Sequence, residues 1–367
     1  MINGDRVKQV RELRGFTQTE LATRIGANQS TITYVESGRL QPSEALMDKI
    51  VFQTGFPLSF FQIAHPTNFP MGSSLLFRAK SAMRVREHVL VHRYAETLFE
   101  CAEKLLQRFR SVPVRLPHLE NETPAMAASI TRHALGLSPS APIPDLIYAT
   151  EKAGVFVLPL PIELDNVDAF SLRIGTNLAS PLIVTMQQQF GDRFRFSVAH
   201  ELGHLVMHQA IAGSVAKVEK EAHQFAGALL LPEDAMREEL VPPVTLASLA
   251  ALKPRWKVSM QSMIMRASDL QIVTARQKKY LFQQMSARGI RKREPAHLDI
   301  AIEKPRWLRQ MAERLYGTPI DYHAFARDSD LPQSFLEECI EFWRVNNQQQ
   351  SAQAPVTKFR ENMRKVP

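Results

Sequence analysis

The apolar positions of the chain change period twice. Over residues 1–65 they recur at three- and four-residue spacing and predict helices only. A first helix is expected from about Asp5 to Leu13, with Arg14-Gly15-Phe16 as the turn. Thr17 has the chemistry of an N-cap, and Glu20, three residues on, completes a capping box. The helix they open runs to about Ile25, and Gly26 ends it. Asn28 is expected to cap a third helix, which runs to about Glu36 and closes at Ser37-Gly38. Leu21, Ala22, Ile25, Ile32 and Val35 would form the core, leaving Gln29, Ser30, Thr31, Thr33 and Tyr34 facing outward. This is a helix-turn-helix pattern whose second helix is polar on its outer face, a form that can enter the major groove of DNA. A helical bundle used for protein contacts is the alternative.

A Pro/Gly/Ser-rich break, AHPTNFPMGSS, follows. Residues 82–112 then predict one long amphipathic helix, serving as a dimer element or as an ordinary core helix. Residues 113–124 are polar and contain proline; residues 125–136 return to a helical pattern. Next the period drops to two. GVFVLPL (154–160), AFSLRIG (169–175) and PLIVTM (181–186) are short, rich in β-branched and aromatic residues, and bounded by turn residues. They predict a small sheet. From Phe196 to about 285 the pattern is helical again, and the last stretch, NNQQQSAQAPVTKFRENMRKVP, is polar and expected to be frayed or disordered. The expected class is α+β, mainly helical, divided as 1–65, 66–124, 125–285 and a basic helical region at 286–367 with a polar tail.

Composition narrows this little. Two isolated cysteines, Cys101 and Cys339, offer neither a disulfide framework nor a cysteine metal knuckle, which suits a reducing cytoplasm. The charged N-terminus has no apolar run of signal-peptide type, and GALLLP is far short of a membrane span, so no membrane partner is expected. The net charge of +8 is uneven: residues 1–62 hold 7 basic and 6 acidic side chains, residues 253–314 hold 15 and 5. A polyanionic partner and a solvated Lys/Arg surface explain this equally well. Residues 254–270 read as a core-forming helix, or as a second helix-turn-helix-like element, and Arg291-Lys292-Arg293 reads as solvated.

The strongest chemistry lies in FSVAHELGHLVMH, residues 196–208. On a helix, positions four apart differ by about 40° and stack on one face, so His200 and His204 project together and can bind one Zn²⁺. Glu201 lies beside them, where its carboxylate can take a proton from the attacking water and later deliver it to the leaving amine. Val198, Leu202 and Leu205 would anchor the helix, and Gly203 would leave room above the metal. A third ligand is needed. VEKEAHQFAGALLLP (218–232) predicts a second helix, with Glu219, Ala222 and Ala226 on one face and Glu221, Phe225 and Ala228 on the other. Glu219, His223 and Glu221 are the candidate third ligands. His223 is otherwise an outer-sphere group or transition-state donor, and His208, about 12 Å along the axis from His200, is an outer-sphere or surface group. The strand Ser180–Thr185 is either an edge that can hold an extended peptide or a plain core strand.

Two resemblances add to this. TQTELATRIGANQSTITYVESGRLQPS resembles the XRE (phage Cro/repressor-like) helix-turn-helix family over about 60 residues. It implies double-stranded operator DNA as partner, with Gln18 and Gln29 at positions that family uses near phosphates and base edges, and Ser30, Thr31, Thr33, Tyr34 and Arg39 nearby. The exposed part of the third helix has no arginine for guanine readout. DRFRFSVAHELGHLVMH, EKEAHQFA and LLLP resemble the ImmA/IrrE family of zinc peptidases, over about 150 residues from near residue 125. That resemblance implies a gluzincin-like site with His200, His204 and Glu219 on zinc and Glu201 as general base. It departs at His223, where the family usually carries asparagine. Together they imply a cytoplasmic regulator that binds DNA and cleaves a protein partner, a repressor, with a homodimer expected on palindromic operators. The alternatives are a transcription factor whose peptidase-like domain holds a metal or ligand without cutting, and an antitoxin-like regulator.

Overall fold

The computed structural model describes residues 1–64, 85–109, 113–162, 168–174, 180–186, 190–208 and 214–345. The AHPTNFPMGSS break and the polar C-terminal tail lie outside these apart from Ala64. The fold is α+β and mainly helical, with one small sheet. By mutual contact it forms two compact units: one joins the N-terminal helices to the last three, and the other holds the elements between. No helix among the described residues is long and apolar enough to cross a membrane.

The first unit opens with α1 (Gly4–Leu13), α2 (Gln18–Ile25), α3 (Gln29–Glu36) and α4 (Glu44–Thr54). Thr17 caps α2 with both bonds of the capping box, and Gly26 ends it at φ +65°, a left-handed conformation that suits glycine. The expected core, Leu21, Ala22, Ile25, Ile32 and Val35, is buried. One detail differs. Asn28 stands at the N-cap of α3 with extended backbone, yet its side chain makes no cap bond and is exposed.

The long helix α5 (Val85–Leu106) belongs to this unit and packs on α1 through polar pairs. Arg6 reaches Glu100 at 2.6 Å, Gln9 reaches Thr97 at 3.1 Å, and Arg93 reaches Glu12 at 2.8 Å. The last helices, α14 (Trp307–Tyr316), α15 (Tyr322–Ser329) and α16 (Gln333–Val345), complete the same core. Phe335 stands 6.3 Å from Phe56 and 5.5 Å from Tyr94, centroid to centroid. Lys104 on α5 bonds Asp330 at 3.0 Å.

The second unit contains α6 (Pro124–Ala134), α7 (Leu146–Lys152), strands β2 (Ala169–Ile174) and β3 (Ser180–Thr185), and helices α8 (Gly191–Met207) to α13 (Ala275–Ala287); strand β1 (Phe156–Pro159) begins in it, and its last two residues cluster with the first unit. β2 and β3 are antiparallel, Ser171 opposite Ile183, and the sheet order is β1-β3-β2. β3 is therefore the central strand. Both its edges are already paired, so Ser180–Thr185 is a core strand and not a free edge for a peptide; the outer positions fall to β1 and β2.

α8 begins five residues earlier than the hydrophobic pattern suggests, at Gly191. A Cβ there would stand 2.4 Å from the Ile300 and Ala301 carbonyl oxygens, so only glycine allows this approach, which is fixed by the Gly191 N–H to Ile300 bond of 3.1 Å. Buried charges hold the helix in place. Arg195 pairs with Glu303, which also accepts from the Leu146 and Ile147 N–H groups at the start of α7. Lys253 on α11 (Leu246–Trp256) reaches Asp192 at 2.6 Å and Glu294 at 2.7 Å. α9 (Val215–Leu230), capped by Ser214, packs along α8 and α6. α10 (Glu233–Glu239) and α12 (Met260–Asp269) follow, with Ser259 capping α12.

Candidate functional site

Val198, Leu202 and Leu205 are buried, which fixes the opposite face of α8 toward α9. His200 and His204 come from that face, and their Nε2 atoms lie 3.0 Å apart. Glu219, from the second turn of α9, meets both: Oε2 is 3.1 Å from His200 Nε2, and Oε1 is 3.3 Å from His204 Nε2. Burial pushes the Glu219 pKa up, but the two histidines outweigh it and hold the carboxyl well below the usual carboxylate range.

The two ring nitrogens and the Glu219 carboxylate, which turns one oxygen toward each ring, form a compact triangle of groups. Zinc bonds of about 2.0–2.1 Å in a tetrahedron place neighbouring donors about 3.3 Å apart, and the contacts of 3.0, 3.1 and 3.3 Å, the last two through different Glu219 oxygens, are close to that. The residues therefore fit a metal ion. His200, Glu201 and His204 also form a group able to hold one, their donor atoms all within 4.8 Å of one another. Of the two carboxylates, Glu219 is the one placed against both rings. Glu201 is turned to the sheet: it is buried, and its Oε2 accepts from the Ser171 hydroxyl of β2 at 2.6 Å. Sequence reasoning missed Ser171. A serine thirty residues from its partner leaves no local pattern.

The other candidates are placed differently. His223 is exposed, its ring 4.6 Å from that of His200 and stacked 5.6 Å from Phe196. Its ring lies beside the triangle, against His200. Glu221 meets His208 and not the triangle: its Oε2 is 3.1 Å from His208 Nε2. His208 in turn sits 3.2 Å from His204, Nδ1 to Nδ1. Gly203 does not leave room above the metal. A Cβ there would stand 2.9 Å from Phe225 Cδ1, so the glycine serves close packing of α8 on α9.

In the first unit, the outer residues of α3 are linked to the first residue of α2. Gln29 Nε2 donates to Gln18 Oε1 at 2.9 Å, and Thr33 Oγ1 donates to the same oxygen at 3.0 Å. Gln18 Nε2 donates to Glu36 at 2.8 Å, and Glu36 is held by the buried Arg11 at 2.5 Å. Ser30, Tyr34 and Arg39 are exposed, and Thr31 is half-buried.

Residues 7–60 match the helix-turn-helix family model, and residues 150–268 match that of the IrrE N-terminal-like domain, peptidase M78. The chain joins an XRE-type helix-turn-helix to an IrrE-like segment. The IrrE-like match spans Ser171, His200, Glu201, His204, Glu219 and His223, so the triangle and its surroundings lie within it. The helix-turn-helix match spans the network of Arg11, Gln18, Gln29, Thr33 and Glu36 and supports DNA binding. No curated protein matches the chain. The fusion supports a regulator with a peptidase-like domain.

Proposed function

We propose that this chain is a DNA-binding transcriptional regulator whose IrrE-like domain is a zinc-dependent endopeptidase, acting on a partner protein of repressor type. The observation that carries the reading is the triangle of His200, His204 and Glu219, with the Glu201 carboxylate beside it. His200, His204 and Glu219 would hold the ion. A zinc ion so held polarises a carbonyl and makes water more acidic. Glu201 then accepts a proton from the attacking water and returns it to the leaving amine, as a base and then an acid. Ser171, donating to one oxygen of Glu201, fixes the carboxylate's orientation while its proton is moved. Gln18 and Gln29, joined by a hydrogen bond between their side-chain amides, present their side chains to operator DNA, with Ser30, Thr31, Thr33, Tyr34 and Arg39 around them. A homodimer on a palindromic operator and a cytoplasmic setting complete the proposal.

The test compares new protein N-termini in cells expressing the intact chain or its Glu201→Gln variant. Termini that appear only with the intact chain, from a DNA-binding protein, are expected. Identical termini in both overturn the peptidase reading and leave a regulator with a non-cutting domain.

A further inference from the structure

We propose that Glu221 and His208 form a positioning relay that sets the tautomer of His204 and so prepares it as a metal ligand. The proposal rests on the metal-centre reading above. It starts from two contacts which that reading does not use: Glu221 Oε2 to His208 Nε2, 3.1 Å, and His208 Nδ1 to His204 Nδ1, 3.2 Å.

Each link determines the next. A carboxylate only accepts hydrogen bonds, so the hydrogen of a neutral His208 sits on Nε2, facing Glu221. The Nδ1 of His208 is then a bare acceptor. One hydrogen must lie between the two facing Nδ1 atoms, and it therefore belongs to His204. A neutral His204 protonated at Nδ1 keeps its lone pair on Nε2, the atom that lies 3.0 Å from His200 Nε2 and 3.3 Å from Glu219 Oε1. The reverse tautomer of His204 would turn the His208 ring around and set a bare nitrogen against the Glu221 carboxylate. Metal-bound histidines commonly have the second ring nitrogen held in this way, which fixes the ring and raises its basicity. Here a second imidazole stands between the carboxylate and the ligand.

The surroundings suit such a role. The His204 side chain is fully buried and that of His208 nearly so, and Glu221 shows its other oxygen to Lys217 at 3.8 Å. The two ligand histidines are also unequal. The Nδ1 of His200 is buried with no hydrogen-bond partner, so only His204 is oriented from behind. The relay spans the last turn of α8 and the first turns of α9, and it ties the ligand on one helix to the helix that carries Glu219.

The test measures zinc affinity of the full chain by competition with a chromogenic chelator. Glu221→Ala and His208→Ala should each weaken zinc binding about 10- to 100-fold, the usual effect of losing such a partner. Because Glu221 acts through His208, the double variant should bind no worse than His208→Ala alone. His208→Gln, whose amide oxygen can accept from His204 Nδ1, should recover part of the loss, which separates positioning from a general folding defect. Wild-type affinity in both single variants overturns the relay while leaving the metal centre standing. So do independent losses that multiply in the double variant. Complete loss of zinc in Glu221→Ala makes Glu221 a ligand instead, and an intact chain that takes up no zinc overturns the relay together with the metal centre.

Discussion

Gly203 and Phe225 meet across α8 and α9 at a distance that no side chain on residue 203 can share: a Cβ would stand 2.9 Å from the Phe225 ring. This contact sets the separation of the two helices that carry His200, His204 and Glu219. Gly203→Ala should lower stability by about 1–3 kcal/mol through overpacking, read as a shift in the urea midpoint, and should weaken zinc binding. Gly227 on α9 is the control. A Cβ there meets only Arg266 Cδ at 3.9 Å, so Gly227→Ala should be neutral or stabilising, by roughly 0.5–1 kcal/mol. Equal tolerance at both positions would mean that helix spacing is not set at Gly203.

Among the described residues, Lys253 is the cation that pairs with both Asp192 and Glu294 in a buried cluster. Burial alone would lower its pKa, but the two carboxylates raise it; the Glu294 pKa is raised, by burial first, with Lys253 opposing. Lys253→Met leaves two carboxylates without the cation between them and should cost about 3–5 kcal/mol at neutral pH. The sign of the pH dependence follows. Acid protonates the uncompensated carboxylates, so the deficit against the intact chain should shrink as pH falls. Urea unfolding of both proteins from neutral to mildly acidic pH checks this; a deficit that grows in acid contradicts it.

The Gln29–Gln18–Glu36–Arg11 chain predicts a graded response in DNA binding. Gln29→Ala removes a candidate base contact and should cost about 1–3 kcal/mol on the preferred operator, with little effect on unrelated DNA. Gln18→Ala should act at both ends, since its amide oxygen accepts from both Gln29 and Thr33. Operator selection from a randomised pool, followed by fluorescence anisotropy, gives both values. Uniform weakening on all sequences would reassign these residues to the phosphate backbone.

The elements that were legible in the sequence are those built from local rules. The Thr17 capping box, Gly26 and the buried set from Leu21 to Val35 follow from residues within one or two turns of each other. The pairing of His200 with His204, and Glu219's position on the next helix, follow from helical period and a two-helix pattern. What was hidden depends on residues brought together by packing. The Ser171 hydroxyl reaches Glu201 from a strand, and Glu221 reaches His208 across thirteen positions. Strand order also cannot be read from three short apolar runs, which is why the sequence leaves both an edge and a core position open for β3. The chain from residue 286 onward reads as a basic helical region, yet Phe335 within it is buried against Phe56 and Tyr94 of the N-terminal unit.

The central claim is that His200, His204 and Glu219 hold one zinc. Elemental analysis of the purified full chain, beside its His204→Ala, Glu219→Ala and Glu201→Gln variants, tests it most directly. The account predicts about one zinc per chain in the intact protein and in Glu201→Gln, and loss of the metal in the other two. Zinc retained in Glu219→Ala, or absent from the intact chain, would contradict it.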